Sequence, residues 1–222
     1  MVRHLDTANS LPTSQSSWLE LSSKCEIIQA GVDEVGRGAL FGPVVAAAVI
    51  LPNNALPQLV AAGINDSKKL SVLRRKQLFA QIIACSDWKI GYASTAEIDQ
   101  LNILQASLLA MKRAVLKLSV QPDICLIDGN QLVKGLPMPQ KTIIKGDSIS
   151  IAIAAASIVA KVWRDDLILR LATKYPMYDL AQNKGYGSRR HLLALQEYGA
   201  SRLHRKSFSP CQVKLQLELK FD

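Results

Sequence analysis

Aromatic residues are scarce in this chain of 222 residues, at 5%, so any core must be built mainly from Leu, Ile, Val and Ala. The four cysteines, Cys25, Cys85, Cys125 and Cys211, are too scattered for a paired metal-binding spacing. They read as reduced thiols in a cytoplasmic protein and not as a disulfide framework. No apolar run reaches the roughly 18 residues needed to span a bilayer, so no membrane association is expected. The start, Met1-Val2-Arg3-His4-Leu5-Asp6, lacks the apolar core of a signal peptide. There is no Gly-rich phosphate loop of Walker type, which removes the support for a nucleotide phosphotransferase. Acidic residues are in deficit. Asp and Glu number 18 against 27 Lys and Arg, a formal charge of +9, and a polyanionic partner is the natural inference. The basic residues cluster at Lys68, Lys69, Arg74, Arg75 and Lys76, and again at Lys184, Arg189, Arg190, Arg202, Arg205 and Lys206.

What the chain does have is an unusual acidic pair. Asp33 and Glu34 end the apolar stretch Ala30-Gly31-Val32 and precede Gly36-Arg37-Gly38. Val44 to Leu51 follows as a second apolar run, and Gly and Pro punctuate the interval, the pattern of two adjacent buried strands. Neighbouring side chains on a strand point to opposite faces, so one carboxylate is expected to face the sheet surface and the other a crevice edge, unless the strand bulges there. Buried charges are costly unless paired or bound to a cation. Taken alone, the pair fits turn residues bridged to Arg37 as well as it fits a cation site.

The rest of the chain alternates between strand and helix signals. Residues 1–23 are polar and Ser-rich, a loose arm with at most a short helix near Trp18 to Leu21. Strands are predicted at Ile27–Val32, Val44–Leu51, Lys89–Ala93, Ile124–Ile127 and Thr142–Ile144. Helices are predicted at Ser71–Ala84, from Thr95 on through Ile103 to Leu118, at Ser150–Ala172 and at Arg189–Tyr198. Tyr175 to Gly187 reads as loop. The expected fold class is α/β, a sheet flanked by helices around one core.

Acids recur where strands end: Asp33 and Glu34 at the first, Asp128 after Cys125-Leu126-Ile127, Asp147 after Ile143-Ile144. Ligands bind at strand ends in open α/β sheets. Four converging carboxylates repel one another, and divalent cations remove that penalty. Hard oxygen ligands with no His-Cys cluster suit magnesium or manganese. An acidic metal site in a basic protein is the expected pairing for phosphodiester chemistry, with cations at the reacting phosphate and Lys and Arg on the flanking backbone. Singly, Asp128 before Gly129 is an ordinary turn residue and Asp147 an ordinary helix cap. On the long helix, Ser150, Ala154, Ser157 and Lys161 form a small or polar stripe that a nucleic acid strand can approach closely. Ser157 bonded to its own helix and Lys161 extended to solvent would leave the same pattern.

Several segments, in order, resemble bacterial ribonuclease HII. They are Gly31-Val32-Asp33-Glu34-Val35-Gly36-Arg37-Gly38, Asp66-Ser67-Lys68-Lys69-Leu70, Ile127-Asp128-Gly129-Asn130, Lys145-Gly146-Asp147, the stretch from Ala154 to Asp165, Asn183-Lys184-Gly185-Tyr186-Gly187, and His204-Arg205-Lys206-Ser207-Phe208. Each is weak alone; together they are highly specific and cover residues 28–210. Arg37 between its glycines and the short N-terminal arm argue against the related ribonuclease HIII class.

The resemblance implies a ribonuclease H-like mixed sheet flanked by helices, with a helical C-terminal part. It divides the chain into a loose arm over 1–25, a catalytic domain over 26–210 and a tail over 211–222. It implies endonucleolytic cleavage of RNA in RNA–DNA hybrids and at single ribonucleotides in duplex DNA, leaving 5′-phosphate and 3′-hydroxyl ends. Asp33, Glu34, Asp128 and Asp147 fall on the catalytic, metal-binding acids, for a two-metal site of Mn2+ or Mg2+. Gly36, Arg37, Gly38 and Tyr186 fall on the ribose-recognition elements. Ser67, Lys68, Ser157, Lys161, Lys184 and Arg189 are expected to meet the nucleic-acid backbone. The protein is expected to act as a cytoplasmic monomer. A nucleic-acid-binding protein with a degenerate metal site is the alternative, and intact acids at all four positions argue against it.

Overall fold

The structure is a computed structural model, and residues 27–64 and 70–212 are described. Five strands form one sheet in the order β3-β2-β1-β4-β5: β1 Gln29–Val35, β2 Val44–Ile50, β3 Asp87–Ala93, β4 Ile124–Asp128 and β5 Gln140–Ile143. The first three are an antiparallel meander, while β4 and β5 run parallel to β1. The sheet is therefore mixed. The helices are α1 Leu56–Ala61, α2 Val72–Cys85, α3 Thr95–Leu101, α4 Ile103–Val115, α5 Ile151–Ala172, α6 Leu180–Asn183 and α7 Arg189–Tyr198.

Side-chain alternation on β2 feeds two cores. Val44, Ala46 and Ala48 join one with Ala106, Ala110 and Ala114 of α4; Ala47 and Val49 join the other with Leu78 and Ile82 of α2 and with Ala155, Ile158 and Val159 of α5. Helices thus cover both faces. Their approach is close because side chains are missing where it matters. A Cβ on Gly31 of β1 would lie 2.0 Å from the Ala152 carbonyl carbon of α5, and one on Gly91 of β3 would lie 2.1 Å from the Ala110 oxygen of α4. A third cluster, with Leu40, Phe41, Ile168, Tyr178, Leu180, Leu195 and Cys211, packs the helical C-terminal part against the loop after β1.

Several sequence expectations are corrected in detail. The helical region from Thr95 breaks at Asn102, whose backbone is left-handed at φ 69°, and whose side-chain oxygen caps α4 by accepting from the N–H of Leu104 and Gln105. β5 ends before Ile144, which is exposed, because pairing stops at Asp128 opposite Ile143. The Tyr175–Gly187 loop contains a 3-10 turn, Pro176–Tyr178, and the one-turn helix α6. Helix α1 was not expected at all. The arm over 1–25, the residues of the tail from 213 on, and Ser67 and Lys68 lie outside the described residues.

Candidate active site

Asp33 lies near the end of β1, beside parallel β4, in a register that pairs Val32 with Ile127 one step earlier. Across β2 its partner is Ala47 and that of Glu34 is Ala46. The Asp33 side chain is buried, and its Oδ1 accepts the Glu34 N–H at 2.7 Å. The Ser157 hydroxyl, from α5, also hydrogen-bonds to it. These contacts do not offset the setting. Burial first, then the charges of Glu34 and Asp128, push the Asp33 carboxyl well above the ordinary carboxylate range. Burial also raises Glu34, and Arg37, 3.1 Å away, works against that rise. The expected bridge to Arg37 therefore exists, but it engages Glu34.

Asp128 ends β4, and its Oδ1 accepts the Gly146 N–H at 2.7 Å. Gly146 opens the 3-10 turn Gly146–Ser148, reached through a left-handed Lys145 at φ 56°. That reversal seats the buried Asp147 in a small concavity lined by Ser148, Ile149, Ser150, Ile151 and Ala154 at the start of α5. Ser150 caps the helix, with its hydroxyl oxygen accepting from the Ile153 N–H. One strand-end region thus gathers Asp33, Glu34 and Asp128, and the Asp128–Gly146 hydrogen bond ties in the turn that carries Asp147.

The two segments expected at a sugar also meet. Ala39 and Tyr186 form an isolated β-bridge, and the N–H groups of Leu40 and Phe41 donate to the Gly185 carbonyl. Gly36 needs to be glycine twice over. Its φ is +87°, and a Cβ would lie 2.2 Å from Nε of Arg164. A Cβ on Gly38 would meet open space. Arg37 and Tyr186 are exposed.

The expected backbone contacts divide. Arg189 is exposed at the start of α7. Lys184 is half-buried and its ammonium donates to the Ala181 carbonyl. Lys161 is held by Asp165, at 2.6 and 2.8 Å from its two oxygens. Arg205, counted by its place in the chain among residues facing a polyanion, is instead fully buried, as is Arg164. Both belong to motif segments, but nothing local assigns them a buried role. His191 and His204 are likewise buried, and Nδ1 of His191 lies 2.9 Å from the Tyr186 carbonyl, a contact that local sequence does not signal.

Among the described residues, no three His, Cys, Asp or Glu side chains stand at closed metal-cage spacing. The donor set nevertheless fits a hard divalent cation. Its oxygens are all carboxylate, and Asp33 is destabilised by two neighbouring negative charges that a cation would offset. Magnesium keeps several waters and takes only one or two carboxylates, so it needs no protein cage.

Comparison with known proteins agrees. The sequence profile described as Ribonuclease HII matches residues 30–211. The ribonuclease HII of Trichormus variabilis is 65% identical over 211 residues, covering 92% of this chain and 94% of that relative. That of Nostoc sp. is 65% identical over 221 residues, covering 96% and 98%. Among solved structures, ribonuclease H2 from Pyrococcus horikoshii OT3 superposes with a TM-score of 0.74 at 26% identity, covering 87% of this chain and 99% of that one. Bst-RNase HIII in complex with Mn2+ shares the fold, with a TM-score of 0.74 at 18% identity, covering 96% and 77%. With its mixed sheet, its strand-end acids and these relatives, the chain belongs to the ribonuclease HII family.

Proposed function

We propose that this protein hydrolyses the RNA strand of RNA–DNA hybrids and nicks duplex DNA at embedded single ribonucleotides, leaving 5′-phosphate and 3′-hydroxyl ends. The observation that carries the reading is the gathering of the buried Asp33 with Glu34 and Asp128 at one strand end, tied by the Asp128–Gly146 hydrogen bond to the turn that carries Asp147, in a protein of net charge +9. Asp33, Glu34, Asp128 and Asp147 would hold the divalent cations. Mn2+ or Mg2+ in a two-metal site would supply charge neutralisation and Lewis acidity at the scissile phosphate.

The protein's own groups do the rest. The Glu34 N–H and the Ser157 hydroxyl fix the Asp33 carboxylate, and the Gly146 N–H fixes Asp128, so the acids are oriented before substrate arrives. The Gly36-Arg37-Gly38 loop presents main-chain groups to the ribose 2′-hydroxyl, the group that separates RNA from DNA. Tyr186 closes over the adjacent sugar. Arg189 and Lys184, with Lys68 and Ser67, contact the flanking phosphates, and Ser157 and Lys161 complete that track. The enzyme works as a cytoplasmic monomer. The deciding experiment is incubation with a duplex carrying one ribonucleotide, with and without magnesium or manganese. Nicking at the ribonucleotide only with the cation supports the reading; binding without cleavage under either cation would make the protein a nucleic-acid binder with a degenerate site.

A further inference from the structure

Arg164 and Arg205 are both 0% exposed, a costly place for a charge unless every donor is used. Arg164 comes from the middle of α5, and all three of its nitrogens donate to main-chain carbonyls. Nε bonds Pro43 at 3.3 Å, Nη2 bonds Phe41 at 3.1 Å and Nη1 bonds Lys184 at 2.9 Å. The first two acceptors continue the Gly36-Arg37-Gly38 loop. The third lies two residues before Tyr186. The guanidinium carbon is also 5.4 Å from the centre of the Tyr186 ring, within cation–π range. Gly36, which has no side chain, lies against the same guanidinium. A single rigid group therefore touches both halves of the proposed sugar-recognition site.

Arg205 braces the loop from another side. Its Nη2 and Nη1 donate to the carbonyls of Gly36 at 2.6 Å and Arg37 at 2.7 Å, and its Nε donates to that of Gly42 at 3.1 Å. In a trans peptide the N–H points opposite to the carbonyl. With those two carbonyls turned toward Arg205, the N–H groups of Arg37 and Gly38 turn away from it. The loop's outward polarity is thus set from beneath.

We propose that Arg164 is a positioning residue that fixes the Gly36-Arg37-Gly38 loop relative to Tyr186 and thereby sets the demand for a ribose at the cleavage position. This rests on the reading of those two elements as the sugar sensor. Lysine cannot replace it. A lysine ammonium is a point charge, while the planar guanidinium reaches two segments and stacks on a ring at once.

The test is a kinetic cycle with Arg164→Lys, Tyr186→Ala and the double variant, per folded molecule, on a single-ribonucleotide duplex and on a continuous RNA–DNA hybrid. Arg164→Lys should lower kcat on the single-ribonucleotide duplex by about tenfold or more with KM changed less than about threefold. In the Tyr186→Ala background the same change should cost less than about twofold, because the two act as one unit. Losses that multiply in the double variant, or that follow only the folded fraction, overturn the proposal. If Arg164→Lys does not fold, Gly36→Ala approaches the contact from the loop side. Its loss should also shrink in the Tyr186→Ala background, and multiplying losses there overturn the proposal equally. Should Tyr186→Ala alone leave turnover at a single ribonucleotide unchanged, the sugar-sensor reading fails and the role of Arg164 falls with it. A large Tyr186→Ala loss with multiplying double variants sinks the role of Arg164 alone.

Discussion

His191 and His204 face each other Nε2 to Nε2 at 3.0 Å in the buried C-terminal layer, and a single arrangement of protons satisfies both rings. The Ser201 N–H, which can only donate, points at Nδ1 of His204 at 2.9 Å. The proton of His204 is therefore on Nε2, where it is donated to His191. Nδ1 of His191 then carries its own proton, 2.9 Å from the Tyr186 carbonyl, which can only accept. Two neutral imidazoles thus link Ser201 to the backbone of Tyr186.

Protonating either ring breaks this chain, and a pH prediction follows. Burial, with the neighbouring His191 adding to it, lowers His204 from 6.5 to about 4. Burial lowers His191 too, against smaller opposite effects of the Tyr186 carbonyl and Asp179. Both are folded-state depressions, so the stability they contribute is complete above pH 6.5 and is lost as pH falls below it, for His204 down to about 4. In that window the unfolded chain takes up protons that the folded chain refuses. For His204 the loss should approach about 1.4 kcal/mol per pH unit within that window. Urea unfolding at about pH 8 and about pH 5 should show a smaller difference in His204→Gln than in the wild type. The same difference in both proteins would place the protons elsewhere.

The acid site gives a prediction of opposite sign. The folded state raises the pKa of Asp33, so the ionised group weakens the metal-free fold at neutral pH. Asp33→Asn keeps an oxygen to accept the Glu34 N–H but removes the charge. It should raise the metal-free Tm by about 3 °C, near 1 kcal/mol for a chain of this size, while nearly abolishing cleavage. Magnesium or manganese should raise the wild-type Tm and do so less in the variant. Asp128→Asn should also remove nearly all cleavage, with duplex binding retained. Wild-type-like turnover in either variant at saturating magnesium would remove both residues from the catalytic set.

How much of this was written in the sequence depends on how local each feature is. Asp33, Glu34 and Asp128 are legible because an apolar run ending in an acid and a glycine marks a strand end, and the sheet brings those ends together. The Asn102 break is masked by apolar residues at helical spacing on both sides, and α6 is a single turn, too short to show a period. Arg164 is the clearest case of the opposite kind. Its sequence surroundings read only as part of the long helix over Ser150–Ala172, and its acceptor at Phe41 is 123 positions away, a contact only the packed fold creates. Arg205 was read as surface charge for the same reason.

Electrostatic contact with the substrate is tested through salt. Arg189 is exposed at the start of α7, and Lys184 is in the turn before Tyr186. Neutralising each should weaken binding to all duplexes about equally and reduce the salt slope of affinity by about one unit per lost phosphate contact. Lys161, already paired with Asp165 at 2.6 Å, should change the slope less than either. Fluorescence anisotropy across a salt series measures this, and an unchanged slope with both Lys184 and Arg189 neutralised would make them a solvated face.

Tyr186 is 36% exposed although its backbone is bound on several sides. Its carbonyl accepts from His191, its N–H donates to Asn183, and it bridges Ala39. The backbone is fixed and the ring is left available, with Arg164 at 5.4 Å on one side. An accessible ring on a fixed backbone is what the proposed sugar contact requires. Tyr186→Ala should therefore lower kcat far more than affinity, because phosphate contacts dominate binding. Tyr186→Phe keeps the ring and its contact with Arg164 and loses only the hydroxyl, so its turnover should lie between the wild type and Ala. Both variants need to be measured on a single-ribonucleotide duplex and on a continuous hybrid, together with their thermal stability. Modest, equal losses on both substrates that follow Tm would show the ring to be a packing element, because only a sugar contact ties the loss to the chemical step.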